Sequence, residues 1–188
     1  RTRNRIGPTR SMTHAHSYAG GHHLTDMPNG YNIKPNGLQG KECAMSTTKD
    51  LLNVLGGASI IRKRIESTRD MTEAIRQGIP YLSLIALATA AHLELNKMST
   101  VLMIPMRTMA RRRESKRLTA EESDRLVRLA RIFTHAINVF GDRDKAAKWI
   151  QRPNRALRNT APIDTLDTDL GVQEVETILG RIEYGVYS

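Results

Sequence analysis

Arg107, Thr108, Arg111, Arg112, Arg113 and Lys116 place five cations and a hydroxyl within ten residues. A guanidinium can donate two parallel hydrogen bonds to guanine O6 and N7, and Arg and Lys both neutralise phosphates. Arg107, Thr108 and Arg111 fall on one outer helix face, where they could reach base edges or phosphates. Arg112, Arg113, Lys116 and Arg117 are placed to neutralise a phosphate backbone. Such chemistry needs a helix held at a fixed angle. Met106–Arg113 reads as that helix, with Pro105 at its start. Glu94–Leu102 reads as a bracing helix and Met103–Pro105 as the turn. Met98, Leu102, Ile104 and Met109 then point inward, and Ser99 is the small residue at the close approach. This is the layout of a helix-turn-helix reader of DNA. The turn position usually held by glycine is Met103, which is strained there if φ is positive. A charge run can also be a solvated helix face. The apolar helix upstream, Pro105 and a capped helix downstream favour the reader.

The charge balance points the same way. The 188 residues carry a net charge of +10 and a pI near 10.2, which suits a polyanionic partner. Most Lys and Arg lie between 107 and 159. Residues 160–188 hold Arg181 against Asp164, Asp167, Asp169, Glu174, Glu176 and Glu183, so nucleic acid is expected to avoid that end. A single cysteine, Cys43, rules out an internal disulfide and fits a reducing, cytoplasmic setting. No apolar run approaches the ~20 residues of a membrane helix. Residues 1–44 have no apolar h-region, so a secretory signal is not expected.

Residues 1–44 show no helical or strand period and are rich in Gly, Asn, Arg, His and Pro; they read as a disordered basic arm or leader. Met45-Ser46-Thr47 looks like a natural start. From there the pattern is helical. Leu51, Leu52, Val54 and Leu55 mark a helix ending at Gly56-Gly57, and Ile60, Ile61 and Ile65 mark a second. Thr68 or Asp70 caps a third that runs to Gly78. Pro80 starts a helix over Tyr81–Leu93. Thr119 and Glu122 form a capping box opening the longest helix, which Gly141 ends. Asp142 caps a helix through Trp149-Ile150, and Ala161-Pro162-Ile163-Asp164 begins a short one. Val172, Val175, Ile178, Leu179 and Ile182 give the last helix one apolar stripe. Period-2 alternation is absent, so the expected fold class is all-α. The expected organisation is an arm over 1–44, a DNA-binding domain over 45–118 and a helical domain over 119–188.

Other chemistry finds little support. His14-Ala15-His16 and His22-His23 lack a carboxylate or thiol at fixed helical spacing, so a specific metal site is not expected. His92 and His135 lack catalytic partners at sequence spacing. There is no phosphate-cradling glycine loop, and no cofactor or enzymatic activity is expected.

A series of segments in order resembles the Xre/MbcA/ParS family of antitoxins, from about Leu55 to Ser188. They are Leu55-Gly56-Gly57, Gly78-Ile79-Pro80, Arg107-Thr108 with Arg111-Arg112, Arg117-Leu118-Thr119 with Glu122-Ser123-Asp124-Arg125-Leu126, and Arg128-Leu129-Ala130-Arg131. Phe140-Gly141, Ala147-Lys148-Trp149-Ile150, Pro153-Asn154-Arg155-Ala156-Leu157, Pro162-Ile163-Asp164 and Leu179-Gly180-Arg181-Ile182-Glu183-Tyr184-Gly185-Val186-Tyr187-Ser188 continue the series. The resemblance implies an Xre-like helix-turn-helix half followed by a small toxin-binding half. It implies a partner toxin with a RES domain that degrades NAD or transfers ADP-ribose, an operator DNA and a homodimer. It also implies that Ile182, Glu183, Tyr184, Gly185, Val186, Tyr187 and Ser188 block the toxin. Tyr184, Val186 and Tyr187 would suit interface anchors, or could fold back onto the core helices. Arg158-Asn159 departs from the family, which tends to place glycines there. The alternative is a stand-alone helix-turn-helix regulator whose C-terminal half dimerises.

Overall fold

The computed structural model describes residues 48–185. The histidines of the N-terminal arm, Cys43, and Val186, Tyr187 and Ser188 lie outside them. The described residues are helical, and among them no strand forms.

Residues 48–54 form α1, whose Leu51 and Val54 are buried with the adjoining Leu55. Gly56 takes φ 93°, a left-handed turn that ends the helix. Gly57–Ile61 is a short α2, and Ile65 stays buried although it lies beyond it. Thr68–Gln77 is α3. Its cap is Ser67, not Thr68 or Asp70 as the sequence suggests: Ser67 Oγ accepts from Asp70 N and Asp70 Oδ2 accepts from Ser67 N at 2.9 Å. Asp70 supplies the reciprocal half of a capping box instead. Tyr81–Ala90 forms α4, three residues shorter than its pattern suggests because the chain turns at Ala91 and His92.

Leu95–Val101 is α5, Met106–Ser115 is α6, Ala120–Phe140 is α7 and Arg143–Gln151 is α8. The capping box of Thr119 and Glu122 and the Asp142 cap are both present. Two 3-10 turns, Arg155–Leu157 and Pro162–Thr165, lead to α9, Asp169–Glu183.

α7 is the central element and packs on α3, α8 and α9. Leu126, Leu129, Ala130, Ile132, Phe133 and Ala136 are all buried along it. The expected border at 118/119 therefore falls just before a helix that supports the elements on both sides of it. Residues 48–185 share one hydrophobic core. A second tie joins the α3–α4 link to the α6–α7 link. Leu118 N donates to Ile79 O, Tyr81 N to Lys116 O, and Arg117 Nη1 to the carbonyls of Gln77 and Gly78. A Cβ on Gly78 would lie 2.3 Å from Leu118 O, so only glycine permits this approach.

Candidate nucleic-acid interface and C-terminal surface

The turn between α5 and α6 is set by a few bonds. Ser99 Oγ donates to Ile104 O at 2.7 Å, and Ile104 N donates to Ser99 O at 2.9 Å. Ser99 is thus a hydrogen-bonding clasp as well as a small residue. Met103 takes φ 53°, with its side chain 60% exposed. A methionine there carries left-handed strain that little burial offsets. Pro105, at φ −54°, directs the chain into α6, which runs two residues beyond the expected end. Met98, Leu102, Ile104 and Met109 are buried as expected. Arg125 Nη1, from α7, donates to Leu102 O at 3.1 Å and braces the turn. No spacing in the sequence marks Arg125 for this role.

Arg107 and Arg111 lie exposed on α6, one turn apart, and Thr108 beside them is half-buried. Arg113 and Lys116 are also exposed. Lys116 closes the helix in a left-handed conformation, φ 60°.

Arg112 departs from its neighbours. Its Nε lies 2.7 and 3.0 Å from the two carboxylate oxygens of Glu122, and both side chains are largely buried. The same carboxylate accepts from Thr119 N at 2.8 Å. Burial alone would raise the Glu122 pKa. The bond from Arg112, the Thr119 N–H and the guanidinium charge outweigh it and hold the carboxyl below its ordinary range. Arg112 therefore ties α6 to the cap of α7, where the sequence suggests a phosphate contact. The signal was present: Arg112 is three residues after the buried Met109, on the inward flank.

At the C-terminal end, Ile182 packs half-buried against the core, continuing the stripe of Val175, Ile178 and Leu179. It is part of the helix packing, not of a free end. Glu183 is exposed, with Oε2 3.5 Å from His135 Nε2. Tyr184 is 80% exposed and does not fold back, and Gly185 follows at φ 67°. Arg158 and Asn159, which the resemblance marked as a departure, take φ 53° and 61°. These are left-handed positions at which glycine is unstrained. His92 gains Asp144 at 3.0 Å, a partnership made by the fold and not by sequence spacing. The His92 hydrogen bond holds the Asp144 carboxyl below its usual value. Among the described residues no group of three or more His, Cys, Asp or Glu could hold a metal ion, and no helix is long and apolar enough to cross a membrane.

Comparison with known proteins fits this geometry. Residues 70–131 match the profile of the antitoxin Xre-like helix-turn-helix domain, and residues 135–185 that of the antitoxin Xre/MbcA/ParS C-terminal toxin-binding domain. The chain belongs to the Xre/MbcA/ParS antitoxin family. It is 44% identical over 87 residues to an Antitoxin Xre of Photorhabdus laumondii, covering 45% of this chain and 59% of that one. An Antitoxin Xre of Yersinia enterocolitica is 40% identical over 87 residues, with the same coverage. One from Pseudomonas putida is 39% identical over 84 residues, covering 44% of this chain and 53% of its own. The match thus spans between half and three-fifths of these relatives. In this member of the Xre/MbcA/ParS family, α5 and α6 lie in the helix-turn-helix match and α8 and α9 in the toxin-binding match.

Proposed function

We propose that this chain is the antitoxin of a type II toxin–antitoxin pair. Its partner is a RES-like toxin that consumes NAD or transfers ADP-ribose. The antitoxin acts in the bacterial cytoplasm by stoichiometric blocking and carries no catalysis of its own. The observation that carries this reading is the joining of two family domains, one for DNA and one for a toxin, on a single central helix, α7.

The DNA end supports autorepression. Arg107 and Arg111 face outward from α6, with Thr108 half-buried beside them, and these three are the base-reading candidates; Arg113 and Lys116 suit phosphates. Arg112 acts indirectly, by holding the reading helix to α7. A homodimer on a palindromic operator would suit this reading, since two half-sites match a two-fold axis.

The other end supports blocking. Glu183, Tyr184 and Gly185 stand clear of the core. Tyr184 offers a large ring with no cover, and aromatic rings of that kind dominate interface energies. Ile182 supports the helix from which they project.

The test is a growth assay with the gene adjacent on the chromosome, whose product is taken as the toxin. Its expression alone should stop growth, and co-expression of the full chain should restore it. A chain ending at Glu183, which keeps Ile182 and its packing, should fail to restore growth while accumulating normally. A harmless neighbour, or one the full chain cannot neutralise, would leave the stand-alone regulator as the better reading.

A further inference from the structure

Leu170 is the most exposed large aliphatic residue among the described residues, 76% open to solvent. Single exposed leucines are ordinary on protein surfaces. This one is set on an unusually firm seat. It is the second residue of α9, and Thr168 Oγ1 caps that helix by accepting from Gly171 N at 3.1 Å. Gly171 lies so close to the preceding turn that a Cβ would stand 1.8 Å from Thr165 O. Thr165 Oγ1 in turn donates to Pro162 O at 2.8 Å, and Arg128 of α7 holds Asp169 at 2.8 Å. The start of α9 is thereby pinned on both sides, so Leu170 is presented rather than frayed.

Beside it runs an open groove of about 800 Å³ between α9 and the Pro162–Thr165 turn. Asp167, Glu174, Thr177 and Ile178 are among its walls. Arg181 is the one cation among the residues lining it. Asp164 is paired with Lys97. Asp167 and Glu174 make no ion pair among the described residues. An apolar knob next to unpaired acids complements an apolar pocket bordered by basic side chains. Exposed cations of the chain are spread over α6, α8 and the turn after it, and the groove lies inside the match to the toxin-binding domain.

We propose that Leu170 and the acidic groove beside it form an anchor for the toxin, separate from the C-terminal end that blocks it. The partner surface is a basic-rimmed apolar pocket on the toxin, so the proposal rests on the antitoxin reading above. Leu170 and Tyr184 are fourteen positions apart on and just beyond one helix, about 20 Å at 1.5 Å per residue. They cannot share one pocket. Affinity then resides mainly at the anchor and inhibition at the end, and the two functions come apart by mutation.

The test is titration of the purified toxin, produced from the adjacent gene, with the full-length chain and three variants. Leu170→Asp should weaken binding about 10- to 100-fold, the range of a lost hot spot. Its melting temperature should be unchanged, because an acid in the first turn of a helix is favourable. Asp167→Lys with Glu174→Lys should also weaken binding, and more so at low salt. The chain ending at Glu183 should bind within a few-fold of full length yet leave the toxin active. Unchanged affinity in the Leu170→Asp variant overturns the anchor. So does a change in the mass of the free antitoxin caused by that variant, which would make Leu170 a contact between copies. If the full-length chain itself does not bind, the antitoxin reading fails first and the anchor with it.

Discussion

Arg111 and Arg112 are adjacent in sequence and have opposite settings. Arg111 stands in solvent on the outer face of α6, while Arg112 is drawn onto Glu122. Their replacements should therefore fail differently. Arg107→Ala, on the same outer face as Arg111, should cost roughly 1–3 kcal/mol of operator binding and leave stability alone. Equal loss on scrambled DNA in a titration would make it a phosphate contact only. Glu122→Gln should instead destabilise the fold by about 1.5–3 kcal/mol at neutral pH, because it removes a charged hydrogen bond from a largely buried partner. The sign of the pH dependence follows from the lowered pKa. A carboxylate held below its ordinary value of 4.5 contributes stability above that value and loses it as the pH falls through the folded-state value. The gap in melting temperature between wild type and Glu122→Gln should be full at pH 7 and shrink below pH 4.5. A gap that persists unchanged at pH 3 would mean that the ion pair is not its source.

At the scale of elements, the chain uses close backbone approaches where helices meet. Gly171 lets the start of α9 lie against Thr165. Gly171→Ala should destabilise by about 1–3 kcal/mol, as overpacking does, in thermal or urea unfolding. The α5–α6 turn shows the converse. Met103 is strained at φ 53° and exposed, so Met103→Gly should stabilise by about 0.5–1 kcal/mol in the same measurements. A loss of stability would show that its side chain contributes more than its exposure suggests. Local signals of this kind were the legible part of the sequence. Thr119 with Glu122, Asp142 and the helix ends at Gly56 and Gly141 could be read because each cap and its partner sit within four residues. Ser67 was missed by one residue, because Ser, Thr and Asp crowd the same turn and each can cap.

For the whole molecule, what the sequence concealed was everything that depends on which helices meet. The inward turn of Arg112 needs α7 beside α6, the brace from Arg125 needs the turn carbonyl of Leu102 near α7, and His92 finds Asp144 only once α8 packs. The separate roles of Leu170 and Tyr184 also needed the fold, since a stripe pattern records which residues go inward and is silent on which outward residue is firmly held. The α5–turn–α6 unit was visible, because Met98 of α5, Leu102 and Ile104 of the turn and Met109 of α6 are apolar inward positions on both sides of a short turn. The helix-turn-helix match ends and the toxin-binding match begins within α7, which packs on α3 to one side and on α8 and α9 to the other. The most direct measurement of that shared design is NAD turnover by the purified toxin, titrated with the full chain and with the chain ending at Glu183. Turnover should stop at a stoichiometric amount of the full chain and persist at saturating amounts of the shortened one. Equal inhibition by both, or none by the full chain, would contradict blocking by the C-terminal end.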